Sequence, residues 1–401
     1  MAKYPPPQAR WSRRGQLEVV STYVPVSSVP AEQPTASWPS AIDLPVAGRW
    51  TRHVRRAKRT EHLPRIAGLA VLHEHGPTSQ DRALERLGLA DDEFAQGIFA
   101  RAGVEHRNLN LGDEFLASSL QGRTEQVEQD LLRQAVAAVD RLEIERGKIG
   151  TVLSSSLCSL GCPSLAHRLI EHYRLDPSVD KYHVTAVGCA SAVPLMKLGS
   201  QVLRADPSRQ VLVVAAESMS AILTPSRPGD PRVKTIGSAI FGDGCAAALL
   251  SCDRDAPGPA VAAVRVHQVP GTLDAVKLTV DDRDSHLDLD RELPAIAAAE
   301  LPDLVDRFLQ ENGLTRQAID HWMLHPGGRR VVEEARDALG LGDDDVEVSW
   351  RALAGHGNVG TPSIFYVLQD TIDRRRPEPG DLGLAVTIGP GVSIGLMLLA
   401  F

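Results

Sequence analysis

Residues 183–195 read HVTAVGCASAVPL. An extended entry around Val184, a glycine at 188 that permits a tight turn, and small residues from Ala190 onward predict strand, turn and helix in that order. This is the repeating unit of a layered α/β protein. Cys189 stands where the turn opens into the helix. A thiol there lies near the positive end of the helix dipole and near free backbone N–H groups, which favour the thiolate and suit a nucleophile. A buried structural cysteine is the other reading of the same motif.

The rhythm continues on both sides. Apolar runs predict strands over 66–72, 149–154, 184–187, 211–216, 246–250, 260–267, 321–324, 382–388 and 393–399. Helical periods fall over 79–87, 91–102, 124–142, 163–173, 190–203, 295–309, 329–339 and 361–373. The alternation divides into a half over 66–255 and a half over 256–401 with similar element counts, which permits an internal duplication. Residues 1–65 differ: they hold 9 of the 27 prolines and no regular period. They read as a largely irregular Pro/Arg-rich extension, with the basic run from Arg49 to Arg59 as a solvated segment or a dock for an acidic partner.

Composition narrows the function. Of 401 residues, 43% are hydrophobic and 23% charged, as in a globular protein with a sizeable core. The net charge of −8 splits into +7 over residues 1–65 (11 basic, 4 acidic) and −15 over 66–401 (32 basic, 47 acidic). An acidic body argues against general nucleic-acid binding. No apolar run reaches the ~18 residues of a membrane span, and no secretory h-region opens the chain. Five cysteines, an odd and sparse count, read as cytosolic thiols rather than a disulfide framework. A cytoplasmic location is expected.

Two further turns carry chemistry. HWMLHPGGRR at 321–330 ends a strand at His325 and turns sharply through Pro326-Gly327-Gly328. GHGNVGTPS at 355–363 sets Asn358 among three glycines before a helix. Such turns bring side chains to one edge of a sheet. Cys158 and Cys162 are spaced C-x3-C without a second Cys/His pair, so no metal is expected. There is no GxGxxG or Walker segment to imply nucleotide chemistry.

Cys189, His325-Pro326-Gly327-Gly328 and Gly357-Asn358 resemble the Cys–His–Asn triad of the type III polyketide synthases, the chalcone-synthase-like family. AIFGDGCAA at 239–247, GVEHR at 103–107 and Gly389-Pro390-Gly391 resemble further segments of that family, in its order, from about residue 66 to 401. The resemblance implies the thiolase-like αβαβα layered α/β fold of two similar halves, and a homodimer. It implies a Cys189 acyl-enzyme formed from an acyl-CoA, with His325 as ion-pair partner of the thiolate. His325 and Asn358 would hold the malonyl-CoA carbonyl during decarboxylative condensation. The backbone N–H of Cys189 would bind the oxyanion, with Gly391 or Val392 as second donor. The product would be a pyrone, a resorcinol-type ring or a β-keto acid. No cofactor is implied beyond CoA thioesters as substrates, and no carrier protein is expected. In substrate binding, the resemblance points to Phe241, Leu287, Met219, Ile222, Cys162, Gly389 and Gly391, and to Arg101, Arg107, Arg329 and Arg330 for CoA phosphates. Rival readings are a carrier-protein-dependent β-ketoacyl synthase, whose His is usually followed by Gln-Ala-Asn, and a non-catalytic thiolase-fold scaffold. The size of Met219, Ile222 and Leu223 predicts few chain extensions.

Overall fold

Successive residues of the strand Gln210–Glu217 face two different cores. Leu212, Val214 and Ala216 enter one cluster, and Val211, Val213 and Ala215 enter another. Only a strand buried on both faces can be apolar at every position. The strand Ser393–Ala400 behaves alike: Ile394, Leu396 and Leu398 face one way, Met397 and Leu399 the other. These two strands belong to the two sheets of a five-layer molecule.

The structure is a computed structural model, which describes residues 9–11, 17–19, 63–73, 75–227, 232–280 and 285–401. The chain divides by its contacts into Met1–Ile42 and Asp43–Phe401. In the first unit the strands Ala9–Trp11 and Leu17–Val19 pair antiparallel. The rest of the proline-rich extension up to residue 62, with its basic run, lies outside the described residues, and Arg65 already opens the first strand of the layered body.

In the second unit, five strands run in the order Asp180–Val184, Ile149–Ser155, Gln210–Glu217, Gly244–Ser251 and Arg65–Leu72. The first three are parallel and the last two antiparallel to their neighbours. Four more follow: Ala260–Gln268, Ser393–Ala400, Leu382–Gly389 and His321–Leu324, again with one parallel pair at the far edge. Numbered within each half, the orders are 3-2-4-5-1 and 1-4-3-2; the second is the mirror of the first once the first half's edge strand Asp180–Val184, which has no counterpart among the described strands of the second, is left out. One register pair, Arg65 with Ala260, joins the two sheets.

Three cores fill the layers. The helices Leu120–Val139 and Leu165–Tyr173 cover the outer face of the first sheet. The helices Leu293–Glu311 and Arg329–Leu339 cover that of the second. Between the sheets lie Ala192–Ala205 and Ser363–Asp370, whose small and aliphatic residues touch strands of both halves. The result is the layered α/β, thiolase-like arrangement.

Several boundaries differ from expectation. The strand expected over 184–187 is Asp180–Val184, because Ala186 adopts φ +59°, which no extended strand contains. The helix expected from Pro163 begins at Leu165. The helix expected over 361–373 is Ser363–Asp370, followed by a π-turn over Thr371–Arg375. The helices Val233–Ile240 and Glu347–His356 and the hairpin of Val276–Val280 with Ser285–Leu289 were not expected.

Candidate active site

Three loops meet: one follows the edge strand Asp180–Val184, one the opposite edge strand His321–Leu324, and one the helix Glu347–His356. The first carries Cys189 in a single 3-10 turn, Gly188–Ala190, ahead of the helix Ala192–Ala205. Gly188 has φ +56°, and a Cβ there would sit 2.8 Å from Pro390 Cδ. Gly389 is equally constrained, since its Cβ would lie 2.6 Å from the Ala190 nitrogen. Glycine at both positions lets the cysteine turn press against the Gly389–Gly391 loop.

The second loop follows the strand His321–Leu324 and presents His325, whose N–H donates to Val386 O at 2.9 Å. The third presents Asn358. Its backbone bridges in parallel to Phe241, with Asn358 N–H donating to Ile240 O at 2.7 Å and Gly242 N–H to Asn358 O at 3.1 Å.

Cys189 Sγ lies 3.6 Å from Asn358 Oδ1. That oxygen also accepts Gly360 N–H at 2.9 Å and Ser363 Oγ–H at 3.2 Å, which fixes the amide orientation. Nδ2 reaches Gly327 O at 3.3 Å and keeps a donor for a substrate carbonyl. His325 is 3% exposed, and its Nδ1 has no hydrogen-bond partner among the described residues.

Burial moves both reactive groups toward neutrality. It pushes the Cys189 thiol up to about 12; the Asn358 contact pulls the other way and the Glu217 carboxylate adds to the rise. It lowers His325 to about 4. Burial thus works against the thiolate that the cysteine turn favours.

Cys189, His325 and Asn358 line one cavity of about 600 Å³. Phe241, Met219, Leu287, Gly389, Arg101, Arg329 and Arg330 line it too. Two expected contacts lie elsewhere, Ile222 and Gly391. Ile222 packs into the core beneath the first sheet, because its 3-10 turn, Met219–Ile222, aims only Met219 inward. Cys162, which the resemblance places at the dimer interface, is exposed. Gly391, at φ +64°, turns toward Gln268 and Leu273. Arg107 is no mouth residue. It is fully buried, its Nη1 donates to Phe241 O at 3.1 Å, and burial lowers it to about 9 against the opposing pull of Asp243.

The sequence reading missed Glu217. This buried carboxylate accepts Leu157 N–H at 2.9 Å, Cys158 N–H at 3.3 Å, Ser156 Oγ–H at 3.2 Å and Thr361 Oγ1–H at 3.3 Å. Thr361 Oγ1 also lies 3.0 Å from Gly188 O, so Glu217 ties the cysteine turn to the Asn358 loop. A lone acid ending an otherwise apolar strand, VLVVAAE, was its only signal. Burial raises it to about 7 against those four donors.

A family model described as FAE1/type III polyketide synthase-like protein matches residues 77–309, more than half of the chain. The chain belongs to the type III polyketide synthase family. The model for the C-terminal domain of chalcone and stilbene synthases matches residues 261–400. Among curated relatives, a 3,5-dihydroxyphenylacetyl-CoA synthase of Amycolatopsis balhimycina is 29% identical over 353 residues, covering 84% of this chain and 93% of that protein. A 1,3,6,8-tetrahydroxynaphthalene synthase of Streptomyces peucetius subsp. caesius is 29% identical over 320 residues, covering 77% and 84%. The crystal structure of PKS-I from the brown alga Ectocarpus siliculosus superposes with a TM-score of 0.77 at 25% identity, covering 84% of this chain and 98% of that one. This member of the family is thus an acyl-transferring polyketide synthase. No helix among its described residues is long and apolar enough to cross a membrane.

Proposed function

We propose that the chain loads an acyl-CoA onto Cys189 and extends it with malonyl-CoA by decarboxylative condensation. The observation that carries this reading is the convergence of Cys189, His325 and Asn358 on one apolar cavity. His325 pairs with Cys189 and takes its proton as sulfur attacks the thioester carbonyl. The new C–S bond forms, the bond to CoA breaks, CoA leaves as a thiolate that takes its proton from water, and His325 keeps the proton from Cys189 for the second stage.

In the second stage His325 and Asn358 Nδ2 donate to the malonyl thioester oxygen as CO2 leaves. The apolar surroundings favour that loss, since they solvate the carboxylate poorly and CO2 well. The enolate carbon then attacks the acyl carbonyl and displaces Cys189. Arg101, Arg329 and Arg330 stand where the cavity opens and suit the CoA phosphates. Arg329 and Arg330 are held by Glu333 and Glu334 at 2.8 and 2.6 Å. Met219, which lines the same cavity as Cys189, limits growth of the chain to one or two extensions, giving a β-keto acid or triketide pyrone. The reading includes a cytoplasmic homodimer that needs neither a carrier protein nor a cofactor.

Purified protein incubated with an acyl-CoA and radiolabelled malonyl-CoA, with and without acyl carrier protein, tests this. Wild type should give an acyl adduct by intact mass, and a labelled product, from CoA esters alone; Cys189→Ala should give neither. An adduct on Cys189→Ala, or activity only with carrier protein, contradicts the proposal.

A further inference from the structure

Excepting the three reactive groups, the cavity wall is apolar or carries full charge. Its charged residues, Arg101, Asp290, Arg291, Arg329, Arg330 and Glu333, come from helix ends and the segment after the hairpin. No serine, threonine, tyrosine, glutamine or lysine lines it among the described residues. The remaining neutral hydrogen-bonding side chains are His325 and Asn358, and both are engaged by the thioester carbonyl under the function proposed above.

The apolar surface has a built origin. The hairpin pairs Val276 with Leu289 and Leu278 with Leu287, which puts these residues on one face and Lys277 and Asp288 on the other. Val276, Leu287 and Leu289 line the cavity. Ile236 and Ile240 come from the helix Val233–Ile240, and Ile98 from the helix Glu93–Arg101. Among the described residues Phe241 is the one Phe, Tyr or Trp in the lining.

We infer that the starter this cavity takes is an aliphatic acyl group, in preference to a hydroxylated aromatic or dicarboxylic one. The inference rests on the acyl-CoA loading proposed for Cys189. Among the described residues, a phenolic hydroxyl buried against this wall finds no side-chain partner beyond the groups that the thioester engages, and a retained carboxylate meets no cation but the arginines that suit the CoA phosphates and the exposed Arg291. An alkyl chain loses nothing on leaving water and gains with every methylene covered.

Single-turnover loading of full-length protein separates these cases. Acetyl-, octanoyl-, phenylacetyl-, 4-hydroxyphenylacetyl- and malonyl-CoA are each mixed with enzyme, and the Cys189 adduct is followed by intact mass. Release of labelled CO2 from malonyl-CoA is measured in parallel. A buried methylene is worth about fourfold in affinity, so octanoyl should load at least about a hundredfold more efficiently than acetyl. The added hydroxyl should cost 4-hydroxyphenylacetyl about tenfold or more against phenylacetyl. Ile98→Trp, which narrows the apolar wall, should lower the octanoyl-to-acetyl ratio, a quantity that partial misfolding leaves in place. A flat ratio across chain lengths, or preferred loading of the hydroxylated or dicarboxylic ester, overturns the inference while CO2 release and condensation keep the proposed reaction standing. Absence of any Cys189 adduct and of CO2 release from folded protein overturns both.

Discussion

Met219 and Ile222 share one 3-10 turn, yet only Met219 reaches the cavity, while Ile222 is held among the aliphatic residues beneath the sheet. Substitution should therefore separate them. Met219→Gly should lengthen the product by one or more extender units, read as product mass. Ile222→Ala should leave product mass unchanged and cost roughly 2–5 kcal/mol in denaturant unfolding, as a truncated core residue does. Longer products from the Ile222 variant would show that the turn is placed wrongly. The same scale explains Arg107. The GVEHR segment marked it as a cation of interest, but sequence does not reveal that its carbon chain passes behind Gly242 and Gly357 to bring the guanidinium to Phe241 O.

At the level of elements, the loops that carry chemistry were legible because each is a short polar interruption flanked by glycine. Glycine at such points reports a close approach. Gly357 has φ +67°, and a Cβ there would meet Ile240 O at 2.5 Å. Gly188→Ala should lower stability by more than about 1 kcal/mol, because φ +56° is costly for a residue with a Cβ and Pro390 already occupies the space. Thermal unfolding checks this, and an unchanged midpoint would mean that the turn relaxes freely. The hairpin Val276–Leu289 was not legible. Its strands are short, and its apolar face shows only when the two are set in register. Glu217 was hidden for a related reason: its partners come from Leu157, Cys158, Ser156 and Thr361, all distant in sequence.

Over the whole molecule, the layered fold was readable because strands apolar at every position must be covered on both faces, and the alternation with helices supplies the cover. The same burial creates an acid liability. His73, His325 and His356 are each lowered to about 4 from 6.5 by desolvation, and the His73 and His356 rings stack with centroids 4.6 Å apart. As pH falls from 6.5 toward 4, the unfolded chain takes up protons that the folded chain refuses, so stability is lost in that window. Glu217 and Asp243, raised to about 7 and about 6, act in the opposite sense over an overlapping range. A difference measurement therefore isolates the effect. His356→Phe should gain on wild type as pH is lowered from 7.5 to 5, by up to about 2 kcal/mol, measured as the change in unfolding free energy. A gap independent of pH would mean that His356 titrates normally.

Cooperation of the three loops in two separable stages is tested most directly by Asn358→Ala, with acyl loading and malonyl decarboxylation measured on the same preparation. The variant removes the Oδ1 contact to Cys189 Sγ but keeps the thiol and its base His325, so the Cys189 adduct should form at a rate much closer to that of wild type than decarboxylation does. Release of CO2 from malonyl-CoA should fall by about 10²–10³, the usual consequence of removing one preorganised donor. Equal loss of both stages, or decarboxylation at the wild-type rate, would contradict the roles assigned to Cys189, His325 and Asn358.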